Sequence, residues 1–232
     1  MLRQYSGRTH SHLVSLFAAY SLNRKHYLIF PWATCDLLCY WEKKVPNPDS
    51  KNLITVRWIS YQLWMLVQAV RCIHAGSKTL QNSDDQDRYG RHGDLKPENI
   101  LWFQANDPLG RLVITDMGLG EMHRFVSRSN VPNRGLPTTP KYRPPECDRN
   151  NDVINRSFDI WTLGCIFLEM TSWLIGGWKL IQDMEEDRFK ENRGHVETAE
   201  YWKWMEGRNS DAVLKDAVHQ VSPPNPCSMY QC

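Results

Sequence analysis

Residues 91–103 read RHGDLKPENILWF: within eight positions stand His92, Asp94, Lys96 and Asn99, and an apolar run follows at once. A core does not accept four such side chains unpaired, whereas ILWF asks for burial. The stretch therefore predicts a polar surface loop tethered to a buried strand. QANDPLG next supplies reversal residues and RLVIT a second apolar run, so two short strands are expected, with Asp116-Met117-Gly118 directly after the second.

Around this centre the chain alternates apolar periods with turn clusters. LVSLFAAY (13–20) and YLIF (27–30) flank the polar SLNRKH and read as a hairpin. Ile54, Trp58, Tyr61, Met65, Leu66, Ala69, Val70 and Ile73 recur at helical spacing and predict one amphipathic helix over 53–74. Polar residues 76–90 read as a surface loop, and 116–146, with prolines at 132, 137, 140, 144 and 145, as an irregular functional segment. A helix apolar nearly all round begins near Phe158 and extends to about 175. Its stretch 161–178 is as long as a short membrane span, but Glu169 and its small polar residues favour a buried core helix.

Composition closes off several classes of function. Lys and Arg total 28 against 26 acidic residues, and a net charge of +2 gives no case for nucleic acid or an anionic membrane. The seven cysteines are irregularly spaced without a C-x-x-C pair, and no secretory signal opens the chain, so they read as reduced thiols of an intracellular protein, cytoplasmic or nuclear. His10-Ser-His12 has no nearby third ligand and reads as two exposed histidines before a strand rather than a metal site.

Two carboxylates and an amide on a fixed short loop suit phosphoryl transfer: one carboxylate takes the proton of an attacking hydroxyl, while the amide and the other hold magnesium on nucleotide phosphates. Asp94, Asn99 and Asp116 fill those places. In its spacing the chain resembles the eukaryotic protein kinase family, with HGDLKPEN as its catalytic loop and Asp116-Met-Gly at the D-F-G position. TPKYRPPE, residues 139–146, resembles the end of a kinase activation segment, and DIWTLG, residues 159–164, the start of the central large-lobe helix.

The resemblance implies an α+β protein-kinase-like fold, with a mostly helical large lobe and only a hairpin and hinge left of the β-rich small lobe. It implies 1–12 as a disordered or remnant N-terminus, 13–221 as a partial kinase domain divided into small-lobe remnant and hinge (13–33) and large lobe (34–221), and 222–232 as a disordered tail. ATP and Mg2+ are the implied cofactors, and a protein carrying Ser or Thr the substrate. Asp94 is the implied base, and Lys96, two residues on, faces the transferred phosphate and marks the serine/threonine branch. Phe30 falls at the gatekeeper, Pro31, Trp32 and Ala33 at the hinge that meets adenine, and Asp36 on the ribose side. Thr139, Tyr142 and Glu146 belong to the substrate platform.

The departures are as informative. Gly93 stands where the family usually has an arginine that clamps an activation-segment phosphate, which leaves Ser127, Ser129, Thr138 or Thr139 without that route to the loop. Glu146 usually pairs with an arginine, and spacing does not choose among Arg188, Arg193 and Arg208. No glycine-rich loop or strand lysine precedes the hairpin; Gly118-Leu-Gly120 lies in the activation segment, and MLRQYSGRTHSH is too short for three strands and a helix. The expectation is a chain whose own activity is poor and whose small lobe a partner completes. Two alternatives stand beside it: a catalytically inactive kinase-like scaffold, and a small-molecule phosphotransferase, which also uses H-G-D-x-x-x-x-N but lacks the platform motif.

Overall fold

The computed structural model describes residues 10–75, 88–104, 109–116, 122–124, 131–132, 139–148, 153–191, 199–205 and 211–220. The expected N-terminal remnant before residue 10, the Gly118-Leu-Gly120 stretch and the tail from 222 lie outside them.

In chain order the strands and helices are β1 (Ala18–Leu22), β2 (Lys25–Ile29), β3 (Cys35–Asp36), α1 (Leu37–Cys39), α2 (Leu53–Ala75), β4 (Arg88–Gly90), β5 (Ile100–Phe103), β6 (Arg111–Ile114), β7 (Met122–Arg124), β8 (Val131–Pro132), β9 (Val153–Ile154), α3 (Ser157–Lys190), β10 (Trp202–Trp204), β11 (Ala212–Leu214) and α4 (Asp216–His219). The central sheet has the order β3-β5-β6, all antiparallel, with Ile100 opposite Ile114 and Cys35 opposite Trp102. The remaining strands form two-stranded ribbons: β1-β2, β4-β7, β8-β9 and β10-β11.

The expected hairpin exists but is shifted. Its turn is Asn23-Arg24, both at positive φ, so only two residues of SLNRKH make the reversal and the rest join the strands. Leu13 and Val14 belong elsewhere. Leu13 bridges Ile114, the Val14 N–H donates to the Ile114 carbonyl at 2.9 Å, and both side chains are buried. The apolar run 13–20 is thus divided between core and ribbon, because two segments with different neighbours share one hydrophobic stretch. His12 is buried with Leu13, not exposed as the sequence suggested.

Helix α2 forms where the period demanded, but its buried face runs through Trp58, Ile59, Gln62, Leu66, Ala69, Val70 and Ile73, leaving Ile54 and Tyr61 exposed. Gln62 can be buried because its Oε1 accepts the Leu112 N–H at 2.9 Å. The core between α2, α3 and the sheet is built on indoles and Tyr40, and three of the indole N–H groups find partners where the chain turns: Trp58 donates to Gly110, Trp102 to Leu109 and Trp173 to Val45 carbonyls.

Helix α3 runs well past the expected end near 175. It breaks at Gly177, whose φ of 70° and ψ of −168° are open only to glycine, and the Trp178 N–H donates outward to the Pro46 carbonyl at 2.7 Å. Although α3 is long and apolar enough to suit a membrane span, Ile166, Met170 and Trp173 are fully buried in the core.

Candidate active site

The loop between β4 and β5 is held from below by one carboxylate. Asp159, in the first turn of α3 and fully buried, accepts the His92 N–H at 2.8 Å, the Gly93 N–H at 2.9 Å and a ring hydrogen bond from His74 Nε2 at 2.8 Å. Burial by itself pushes this carboxyl up, but the His74 hydrogen bond, the nearby His92 ring and the Gly93 N–H outweigh it and hold the group below its usual range. The His92 ring ties the loop to β6: Nδ1 accepts the Asp94 N–H at 3.3 Å, so Nε2 carries the proton and donates to the Thr115 carbonyl at 2.8 Å. Gly93 has φ +81°, a conformation that costs glycine nothing and that an arginine adopts only under strain.

On the upper side four of the expected residues meet. Lys96 Nζ lies 2.9 Å from Asp94 Oδ2 and donates to Thr139 Oγ1 at 3.0 Å, and the Thr139 hydroxyl donates to Asp94 Oδ1 at 3.1 Å. Asn99, in the short turn Pro97–Asn99, donates through Nδ2 to the Asp94 carbonyl at 2.8 Å and to Asp94 Oδ2 at 3.1 Å. Pro97 and the buried Leu95 anchor the loop between these contacts. The Thr115 N–H donates to the Asn99 carbonyl at 2.9 Å, which sets Asp116 one residue beyond Asn99's backbone, at a positive φ of 54° and exposed.

Amide and carboxylate oxygens are the donors magnesium takes, and Asn99 and Asp116 are the residues that would hold it. With Nδ2 turned to Asp94, the Asn99 amide oxygen faces away from it, and Asp116 adds a carboxylate. Among the described residues no group of three or more His, Cys, Asp or Glu is assembled. One carboxylate and one amide oxygen make an incomplete cage, the arrangement suited to an ion that takes its remaining ligands from phosphates and water.

The segment expected to form the substrate platform is tied to α3. Tyr142 donates to Glu169 Oε2 at 2.8 Å, Tyr201 to Oε1 at 2.7 Å, and Lys141 bridges Glu169 at 2.8 Å and Glu185 at 2.7 Å. Burial first, and then the Glu169 charge, push both tyrosines well above their ordinary range, so they remain donors. Glu146 accepts the Ser157 hydroxyl at 3.1 Å. Arg188 is buried, donates to the Ala199 carbonyl and lies over the Tyr201 ring at 4.1 Å, whereas Arg193 and Arg208 lie outside the described residues, as do Ser127, Ser129 and Thr138.

The other expected residues lie apart from this cluster's hydrogen bonds. Trp32 is 94% exposed, Phe30 is exposed and Ala33 half-buried between β2 and β3. Asp36 acts as a helix cap, its Oδ1 accepting the Cys39 N–H at 2.7 Å. Sequence reasoning assigned no site role to His74, Asp159, Glu169 or Tyr201. Asp159 had a signal, as the first residue of DIWTLG; His74 and Tyr201 had none.

The model of the protein kinase domain family matches residues 1–213. The chain belongs to the protein kinase family. It is 30% identical over 163 residues to cyclin-dependent kinase 2 of Caenorhabditis elegans, covering 70% of this chain and 38% of that protein. Against cyclin-dependent kinase 14 of Homo sapiens it is 28% identical over 187 residues, covering 79% of this chain and 34% of the other. In structure it is similar to a chain of the yeast RNA polymerase II CTD kinase CTDK-1 complex, with a TM-score of 0.51, 25% identity, and coverage of 69% of this chain and 45% of that one. The kinase domain described here thus spans well under half the length of these relatives, and its fold is the protein-kinase-like α+β fold with a reduced small lobe.

Proposed function

We propose that this domain is a serine/threonine protein kinase that transfers the γ-phosphate of ATP to a protein hydroxyl, with Asp94 as the base. The observation that carries this reading is the meeting of Asp94, Lys96, Asn99 and Thr139 in one hydrogen-bonded cluster, with Asp116 alongside. Asp94 accepts the proton of the attacking serine or threonine hydroxyl. Lys96 swings from Asp94 toward the group being transferred and neutralises its charge, and Thr139 keeps Asp94 aimed at the platform. Asn99 and Asp116 would hold magnesium, which would supply positive charge to screen the phosphates of a bound nucleotide. Phe30, Trp32 and Ala33 border the adenine, and Asp36 stands at the ribose side. Thr139, Tyr142 and Glu146 shape the floor for the substrate chain, and the rigid Tyr142–Glu169 contact favours a protein over a small-molecule acceptor.

A second reading, an inactive scaffold, draws on the open β1-β2 ribbon, whose exposed apolar side chains suit a protein partner that completes the small lobe. The relatives' name, cyclin-dependent, makes a cyclin-type regulator a candidate for such a partner.

The test separates metal from base. In a chimaera with a kinase glycine-rich loop and lysine strand placed ahead of residue 13, Asp116→Asn should weaken magnesium-dependent nucleotide binding. Asp94→Asn should leave binding within about twofold while turnover falls on the order of a hundredfold or more. Equal loss of binding in both would overturn the assignment of roles, and unchanged turnover in Asp94→Asn would favour the scaffold.

A further inference from the structure

We propose that segment 221–232, which lies outside the described residues, folds back into an apolar pocket on α3 and seats residues 223–227 there. The first half of α3 is apolar nearly all round, a pattern that asks for cover on every side. One face lacks it. Ile160, Trp161, Gly164 and Leu168, spaced three and four apart, line a pocket of about 530 Å³ together with Leu214 of β11 and Val218 of α4. Ile160 is 58% exposed, and at Gly164 an added Cβ meets nothing within 4 Å, so this face stands open among the described residues.

What covers the face follows from where the chain leaves it. Val218 lines the pocket and the described residues stop at Gln220, so the twelve residues VSPPNPCSMYQC set out from its rim. They carry no charged side chain, in a chain of which 23% is charged, and so suit a surface that would penalise a buried charge. Pro223, Pro224 and Pro226 bar them from prolonging α4 as a helix and favour the extended polyproline form. From Ser157 to Leu168 the lined stretch of α3 measures roughly 17 Å, the length of about five residues in that form. Aromatic walls suit proline rings, and Trp161 and Tyr201 supply them. The carbonyls of a polyproline segment are unpaired, and the Trp161 indole N–H, buried with no partner among the described residues, gains an acceptor from one of them. Because the segment is joined to the pocket by its own chain, its effective concentration there is on the order of millimolar and weak contacts suffice. None of this depends on the role given to Asp94.

Cys227 lies within the seated stretch and reports on it. The reduced 232-residue chain is pulsed with iodoacetamide and digested with trypsin, and alkylation of Cys227 is read by fragmenting peptide 216–232. Labelling should be on the order of tenfold slower than in Ile160→Glu, which sets a charge on the open face, and in Gly164→Leu, which fills the pocket. Ile160→Glu changes an exposed side chain, so its cooperative melt should persist and the comparison stands even where Gly164→Leu unfolds. The wild-type rate should not change with protein concentration. Equal rates at Cys227 in wild type and Ile160→Glu, or protection that grows with concentration and so comes from a second copy, would overturn the proposal.

Discussion

His12 shows how a single buried side chain can set a pH limit on the fold. Its ring is enclosed, edge-on to Tyr61, and burial, then the neighbouring charges of His10 and Arg111, lower it from 6.5 to about 4. The folded chain therefore keeps His12 neutral while the unfolded chain takes up a proton below pH 6.5, so stability is full above that value and declines as pH falls toward 4. Between pH 7 and 5 the loss should be about 2 kcal/mol, read from urea midpoints. His12→Asn, with no titration in that range, should remove most of the difference. Equal midpoints at both pH values in the wild-type chain would show that His12 protonates in the fold.

Two of the glycines of helix α3, Gly164 and Gly177, have opposite roles, and one substitution distinguishes them. At Gly177 a Cβ would lie 2.5 Å from the Pro46 carbonyl oxygen and 2.7 Å from Asn47 Oδ1, on a backbone at φ +70°. At Gly164 an added Cβ meets nothing within 4 Å. Gly177→Ala should cost about 3 kcal/mol, because the backbone must leave a glycine-only region or push back the 46–47 loop. Gly164→Ala should be neutral or stabilise by up to about 1 kcal/mol through helix propensity. Chemical denaturation of both variants checks the contrast, and similar effects would mean that the break at 177 is not held by that contact.

The whole molecule is asymmetric: a packed, mostly helical body with an exposed ribbon and an exposed stretch just after it. Phe17, Tyr20, Leu22, Tyr27, Leu28, Ile29, Phe30 and Trp32 all stand in solvent, and both edges of β1-β2 are unpaired in the described residues. Such a surface pairs or sticks. The 232-residue chain by itself should self-associate as its concentration rises, and Phe17→Glu combined with Trp32→Arg should shift sedimentation back toward monomer.

Much of this was legible in the residues. Period 3.6 placed α2, short apolar runs placed β5 and β6, and the motifs around Asp94, Asn99 and Asp116 pointed to the family, because each is a local pattern read along one stretch of chain. The strands of the ribbon were displaced because one apolar run served two neighbours, and α3 was cut short because a glycine pair reads as an end unless a contact such as Trp178 to Pro46 carries the chain through it. Only the tertiary structure decided what supports the site. His74 and Asp159 are 85 residues apart and meet when α2 packs on α3, and Tyr201 reaches Glu169 across 32. No spacing encodes such pairs, since the partner of a buried polar group is chosen by whichever elements the apolar faces bring together.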